Sequence, residues 1–251
     1  MTFSRIIYSV SMISDPKTFF ASLVSPRMFA FLEAMKVDGI ERKIPNISWN
    51  TAKFIYETFS EHTPKHILEI GPANGFSTMI LGLIPDVHVT SIEFSRHAFE
   101  ELRANLRSFE TLRDDPESDA IFAPSRLWPK ATSSFGQEDI GRFSVYYGDA
   151  RDVLPAFVEG VSEFLCKHPV NRLIDVPKLR FDAIFIDWAF RMTREFFDLS
   201  KPLLNPDGIV ILDDAIKYRW KMAGFHEYLT ESGISYELVQ TDEDDGVMII
   251  R

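Results

Sequence analysis

Three groups of residues in this chain carry types and spacings that could do chemistry. The first is the run His66-Ile-Leu-Glu-Ile-Gly-Pro-Ala-Asn-Gly-Phe-Ser77. An apolar stretch leads into a turn holding Gly71 and Gly75, and a helical pattern follows. Glycine lets the backbone turn tightly and approach a ligand with no Cβ in the way. Glu69, near the end of the apolar stretch, places a negative charge that would repel a phosphate but suits a cationic amino group. Ser77, early in the following helix, can donate to a carboxylate near the positive helix end. A plain strand–turn–helix with glycines serving geometry alone is the competing reading, because a lone glycine fingerprint is weak evidence.

The second group reads the rest of such a ligand. Glu93 closes the next apolar stretch, where a carboxylate can accept protons from both hydroxyls of a ribose. Dinucleotide enzymes use the same device about 20 residues after their glycines. Phe94 could pack on an adenine ring. In Tyr147-Gly-Asp-Ala-Arg151, Gly148 permits close approach, and Asp149 or the adjoining backbone at Ala150 can meet the adenine amino group. Asp149 can equally cap the helix that follows. The third group is a set of acids that end apolar runs: Asp187 after Phe181–Ile186, and Asp213 with Asp214 after Gly208–Leu212.

The elements that must position these groups alternate along the chain. Strand candidates are His66–Ile70, Val87–Ile92, Phe143–Tyr147, Phe181–Ile186 and Gly208–Leu212. Helical patterns follow at Phe76–Leu83, Arg96–Phe109, Arg151–Cys166, Met192–Leu204 and Tyr218–Thr230. Continuous apolar strands separated by helices predict a doubly wound α/β fold, a mostly parallel Rossmann-like sheet covered on both faces. Ser235–Gln240 and Gly246–Ile250 are separated by too few residues for a helix crossover, so they should pair antiparallel. The expectation is one domain over residues 1–251, with a seven-stranded sheet ending in an antiparallel hairpin. Residues 1–62 show no strong strand signal and read as a helical cap, with Asp15-Pro16 and Ser25-Pro26 as helix starts. The apolar faces of that cap either pack on the sheet or serve as a lid or dimer contact. Residues 63–251 form the ligand-binding core, with insertions near 110–142 and 168–180, where long loops are usually functional or disordered.

Composition narrows the partners. The chain has 251 residues, 45% hydrophobic and 25% charged, with a formal net charge of −10. That balance argues against an electrostatic grip on a long nucleic-acid backbone, although a local basic patch remains compatible with structured RNA. One cysteine, Cys166, excludes an internal disulfide and fits a reducing, cytoplasmic setting. No apolar run approaches the roughly 18 residues of a membrane span, and the N-terminus lacks the pattern of a cleaved signal.

With these residues in hand, the chain resembles the cation-dependent O-methyltransferases of the catechol and caffeoyl-CoA type, whose bacterial relatives include tRNA 5-hydroxyuridine methyltransferases. The resemblance runs from about Pro45 to Arg251 outside the two insertions. It rests on Phe181–Asp187, the Phe196–Leu204 helix, Asn205–Asp214 and the closing Asp245-Gly246-Val-Met-Ile-Ile. It implies S-adenosylmethionine (SAM) as methyl donor, held by Glu69, Gly71, Gly75, Ser77, Glu93, Phe94, Gly148, Asp149, Ala150 and Asp187. It also implies Mg²⁺ or another divalent cation on Asp187, Asp213 and Asp214, with Asp214 standing where asparagine is usual. Hard oxygen ligands at adjacent strand ends suit such an ion. Against this, Asp213 and Asp214 could simply cap the next helix.

The same resemblance implies a lysine three residues after the first metal aspartate, and this chain has Phe190 there. Arg191 could stabilise an anionic oxygen but cannot take a proton. Lys217 is the remaining basic candidate beside Asp187 for a catalytic role. Trp188, Tyr218 and Trp220 could form an aromatic wall for a flat acceptor or could be core. The acidic run Asp242–Asp245 reads as a solvated turn. The acceptor implied is a hydroxylated small molecule, with tRNA as the alternative, and a homodimer is possible. Competing readings are an aminopropyltransferase, a nicotinamide oxidoreductase, and a SAM-binding protein without catalysis. The oxidoreductase would not require the terminal hairpin or the Asp213-Asp214 pair.

Overall fold

Asp15, Ser25 and Ser48 each open a helix by accepting a backbone N–H from three residues ahead. The helices are α1 (Pro16–Leu23), α2 (Pro26–Arg42) and α3 (Trp49–His62). Such caps satisfy amide groups that have no partner inside the helix. The computed structural model describes residues 5–8, 15–119, 136–162, 174–175, 178–187 and 190–251. Phe20, Phe31 and Leu32 of α1 and α2 share one buried cluster with Ile67, Phe76, Phe185 and Ile211 from the body of the molecule.

After α3 the chain alternates. The strands and helices are β2 (His66–Ile70), α4 (Phe76–Gly82), β3 (His88–Glu93), α5 (Arg96–Asp114), β4 (Gly136–Ile140), β5 (Phe143–Tyr147) and α6 (Ala150–Glu159). They continue with β8 (Phe181–Ile186), α7 (Thr193–Ser200), β9 (Leu204–Leu212), α8 (Ala223–Glu231), β10 (Tyr236–Gln240) and β11 (Gly246–Ile250). With β1 (Arg5–Tyr8), the main sheet has, among the described residues, nine strands in the order β1-β10-β11-β9-β8-β2-β3-β5-β4. The central strands β9, β8, β2, β3 and β5 run parallel, and β11 is antiparallel to both β10 and β9. Alternate residues face opposite layers: Ile209 and Ile211 join the cluster beneath α1–α5, while Val210 and Leu212 join the one beneath α6–α8.

All seven expected strands are present, and the doubly wound class holds. Two further strands lengthen the sheet. β1 pairs parallel with β10 inside the segment read as strand-free, and its four residues are too few to give a periodic signal. β4 pairs antiparallel with β5 inside the expected 110–142 insertion, whose first residues instead continue α5 to Asp114. Residues 120–135 lie outside the described residues, as does most of 168–180. Ile174–Asp175 (β7) pairs with Val161–Ser162 (β6) as a separate two-stranded sheet. The expected helix to Cys166 stops at Gly160, which takes a left-handed φ of 76° and ends α6. The helix expected from Tyr218 begins at Ala223, because residues 213–222 form turns that start with Asp214 at φ 57°.

Among the described residues, no helix is long and apolar enough to cross a membrane.

Candidate functional site

The parallel register ends in a row of backbone hydrogen bonds along the carboxyl edge. Gly148 N–H donates to Glu93 O at 2.9 Å, Gly71 N–H to Ile92 O at 3.1 Å, Asp187 N–H to Ile70 O at 3.0 Å, and Asp213 N–H to Ile186 O at 3.0 Å. Each residue that follows a strand end is thereby tied to its neighbour, one strand spacing of about 4.8 Å away. β3 lies on one side of β2 and β8 on the other, so the chain reverses its winding direction here. Open α/β sheets bind ligands in the crevice at such a reversal.

The turn after β2 is fixed by glycines and by two buried acids. Gly71 and Gly75 have φ of 92° and 95°. A Cβ on Gly75 would also stand 2.6 Å from Leu102 Cδ1, so that position admits no side chain without movement. Glu69 is fully buried and accepts from Ser77 Oγ at 2.6 Å, Thr78 Oγ1 at 2.6 Å and Ser91 Oγ at 2.7 Å. Burial raises its pKa while the three hydroxyls oppose the rise. Ser77 is thus brought against Glu69. Thr78 and Ser91 are additional partners that the motif alone did not single out, since nothing in a hydroxyl's sequence position marks its direction.

Glu93 closes the opposite wall. Its Oε2 accepts Ala73 N–H from the glycine turn at 3.0 Å, and its Oε1 accepts Ser95 N–H at 2.6 Å. Desolvation pushes its pKa up to about 7, with those two amides pulling the other way. Phe94, beside it, is 55% exposed. Asp149 caps α6 through Arg151 N–H at 3.0 Å and also grips the Arg151 guanidinium, whose hydrogen bond holds the Asp149 carboxyl below its ordinary range. The capping role is therefore realised. Ala150 is buried as the first residue of α6, directly after Gly148 and Asp149.

On the other side of the row lies a cavity of about 480 Å³. Asp187, Asp213 and Asp214 line it together with Asp242, Glu243, Asp244 and Asp245, and Lys217 is the basic residue in its wall. Burial, and next the repulsion of Asp213 and Asp214, raise Asp187 well above the ordinary carboxyl range. Asp213 and Asp214 are raised too, first by burial and then by the other carboxylates, Asp245 among them. The donor atoms are the hard oxygens a divalent cation prefers. Among the described residues, however, no three His, Cys, Asp or Glu side chains converge closely enough to hold one ion.

The turn Asp242–Asp245 is more than a solvated loop. Asp242 accepts Ser48 Oγ at 2.6 Å and Asn50 Nδ2 at 2.9 Å, which ties the β10–β11 turn to the start of α3. Asp245 Oδ1 accepts the backbone N–H of Lys217 at 3.2 Å and of Gly246 at 2.7 Å. The charge run was legible, but its partners come from remote segments. Lys36 was missed altogether. Half-buried on α2, it donates to Ile47 O at 2.6 Å and Asn46 O at 3.2 Å, and stands 5.2 Å over the Phe76 ring. Burial lowers its pKa against the pull of Asp242 and Asp213.

Arg191 is exposed and does not line the cavity. Lys217 is exposed at the rim, and Asp244 with Asp245 holds its pKa above the ordinary value, so at neutral pH it is a cation and no proton acceptor. Tyr218 lines the cavity, Trp220 is 73% exposed, and Trp188 lies outside the described residues.

The nine-stranded sheet with its antiparallel end is a methyltransferase-type Rossmann-like fold, and solved structures share it. The O-methyltransferase TomG from Streptomyces achromogenes, solved with SAM, superposes with a TM-score of 0.64 at 18% identity, over 97% of this chain and 98% of that one. An O-methyltransferase from Bacillus cereus with SAH gives 0.62 at 19% identity, over 96% and 93%. The SAH-bound methyltransferase PaMTH1 from Podospora anserina gives 0.60 at 15% identity, over 99% of each chain. No protein-family model matches the chain.

Proposed function

We propose that the chain is a SAM-dependent O-methyltransferase acting on a hydroxylated small molecule. The observation that carries this reading is the single row joining Gly148, Gly71, Asp187 and Asp213, which sets a glycine turn with a ribose-ready Glu93 beside an acid-lined cavity. The relatives solved with SAM or SAH support the donor. The donor lies across the turn at Gly71 and Gly75, its ribose hydroxyls on Glu93, its adenine between Phe94 and the Gly148–Ala150 backbone. Its amino-acid end reaches toward Asp187, while Glu69 and Ser77, expected to meet the donor directly, are buried against each other and brace the glycine turn from beneath. The sulfonium methyl then points over the switch crevice into the cavity, and the acceptor oxygen attacks it in line.

Holding both reactants in one crevice is the main contribution of the protein to such a displacement. The methyl–sulfur bond breaks as the oxygen–methyl bond forms, neutral SAH is left, and the hydroxyl proton passes to water in the open crevice; no covalent enzyme intermediate is needed. Asp187, Asp213 and Asp214 would hold a divalent cation, whose chemistry is to make the acceptor hydroxyl a better nucleophile. The crowding of these acids supports that assignment in charge, while their spacing as it stands does not close around an ion. Lys217 supplies positive charge at the rim. Seven carboxylates around the cavity weigh toward a small neutral or cationic acceptor and against a polyanion such as tRNA.

The test is transfer of labelled methyl from SAM to catechol, with Mg²⁺ and with EDTA, alongside calorimetric titration of SAH. SAH binding with Mg²⁺-dependent transfer is the expected result. Binding with transfer that ignores EDTA rejects the metal, and NADH binding in place of SAH rejects the whole reading.

A further inference from the structure

A second cavity, of about 440 Å³, lies against the first and is lined by Asp15, Pro16, Lys17, Ser48, Trp49, Asn50 and Asp242. Ser48 and Asp242 line both cavities, so the hydrogen-bonded pair stands where the two meet. That junction is held by side chains: Ser48 Oγ donates to Asp242 at 2.6 Å, Asn50 Nδ2 at 2.9 Å, and Thr51 Oγ1 at 3.4 Å. Among the described residues, no backbone hydrogen bond joins residues 45–51 to residues 241–245. A wall of this kind can part by rotation of the Asp242 side chain, which leaves Ser48 in place as the cap of α3 and the sheet undisturbed. Each cavity alone sits in the lower half of the roughly 300–1,000 Å³ range of ligand sites, and together they reach its upper end.

The outer cavity also has a chemical character of its own. Trp49 packs against the rings of Phe76 at 5.1 Å, Phe20 at 5.5 Å and Phe29 at 5.9 Å, which fixes the indole. Its indole N–H has no acceptor among the described residues. Lys17, also in its lining, pairs with Glu33 at 2.9 Å, both side chains well exposed. A fixed aromatic ring with a free donor suits a flat group bearing oxygen acceptors.

We propose that the acceptor site continues past the Ser48–Asp242 pair into this outer cavity, which takes the distal, oxygen-bearing ring of an acceptor with two or more rings. The inference rests on the methyltransferase reading, with the reacting hydroxyl in the inner, acid-lined cavity. The outer compartment selects acceptors by length, and the chemistry stays with the inner one.

The experiment uses the whole chain saturated with SAH and two probes, catechol for one ring and quercetin for several. SAH titration is done first and separately, so that its failure strikes the donor reading and not the second cavity. Calorimetry then compares the unaltered chain with Lys17→Trp, a surface change that fills the outer cavity and leaves the inner lining intact. Quercetin affinity should fall by about tenfold and catechol affinity by less than about twofold. A ¹H–¹⁵N spectrum, with the Trp49 indole signal assigned through Trp49→Phe, gives a second reading independent of that variant. Quercetin should move that signal, and catechol should leave it in place. Equal loss for both probes, no loss for either, no binding of quercetin, or a Trp49 signal indifferent to quercetin each overturns the proposal.

Discussion

The two halves of the rim handle buried negative charge in opposite ways. On the donor side, Glu69 is enclosed by three hydroxyl donors and Glu93 by two backbone amides, so each carboxylate is satisfied by its own surroundings. On the acceptor side, the backbone of Asp187 is tied to Ile70 O, but its carboxylate has no hydrogen-bond or ion-pair partner among the described residues, and the charges nearest it are further acids. Buried acids without partners are costly, whereas partnered ones hold a loop in one shape. The donor half is therefore organised before any ligand arrives. The acceptor half keeps crowded acids whose ionisation is held back, and a cation or a polar substrate would relieve that crowding.

Asp213→Ala tests that contrast with the largest effect. Turnover should drop by about a hundredfold or more, since the acid lies where a cation and the acceptor oxygen would meet. SAH affinity should stay within about twofold, because the donor half does not use Asp213. Removal of a repelling carboxylate should also raise Tm, by about 2–4 °C for each kcal/mol gained in a chain of this size. Steady-state rates, calorimetry and a thermal melt read these three outcomes. A variant that loses donor affinity along with turnover breaks the division between the halves.

Glu93→Ala is the mirror experiment. Two hydroxyl contacts to a charged acceptor would be lost, and calorimetry should show SAH binding weakened by about 10- to 100-fold. The acceptor KM should hardly move.

The donor half was the more legible of the two in sequence, for a physical reason. Gly71, Gly75 and Glu93 act through local backbone shape and strand ends, which a linear pattern records. The alternation that gave β2, β3, β5, β8 and β9 also fixed their carboxyl ends, so Asp187 and Asp213 could be set on one edge. The acceptor cavity is built from remote segments: Asn46 to Thr51, Lys217 and Tyr218, and the 242–245 turn. No periodicity announces that Asp242 meets Ser48 or that Lys36 reaches the carbonyls of Asn46 and Ile47. Short elements escaped for a related reason. β1 and β4 owe their state to a neighbouring strand in the sheet, which local pattern does not encode.

Glu93 also gives the donor half a pH signature that sharpens the comparison. Its folded pKa of about 7 lies above the ordinary 4.5, so the native state binds the proton more tightly than the unfolded chain. Its contribution to stability is therefore present at low pH and is lost as pH rises from about 4.5 through about 7. Ribose hydroxyls want the ionised form, so SAH affinity should move the other way, rising by about tenfold between pH 6 and pH 8. Glu93→Gln should flatten that profile. A pH dependence that survives in Glu93→Gln assigns the titration elsewhere.

The smallest effect concerns a side chain that touches both halves. Lys36 lies over Phe76, the first residue of α4 after the glycine turn, and holds the carbonyls of Asn46 and Ile47 at the cavity wall. Lys36→Met keeps most of the stem and deletes two hydrogen bonds, which should cost about 1–2 kcal/mol of unfolding free energy. In a chain of this size that lowers Tm by about 2–8 °C. Loosening the wall should raise the acceptor KM by a few fold, while SAH affinity holds, because the glycine turn is braced independently by Ala73 N–H on Glu93. Equal losses on the two sides would mean that Lys36 transmits strain from the wall to the turn through Phe76, and that the halves are one mechanical unit.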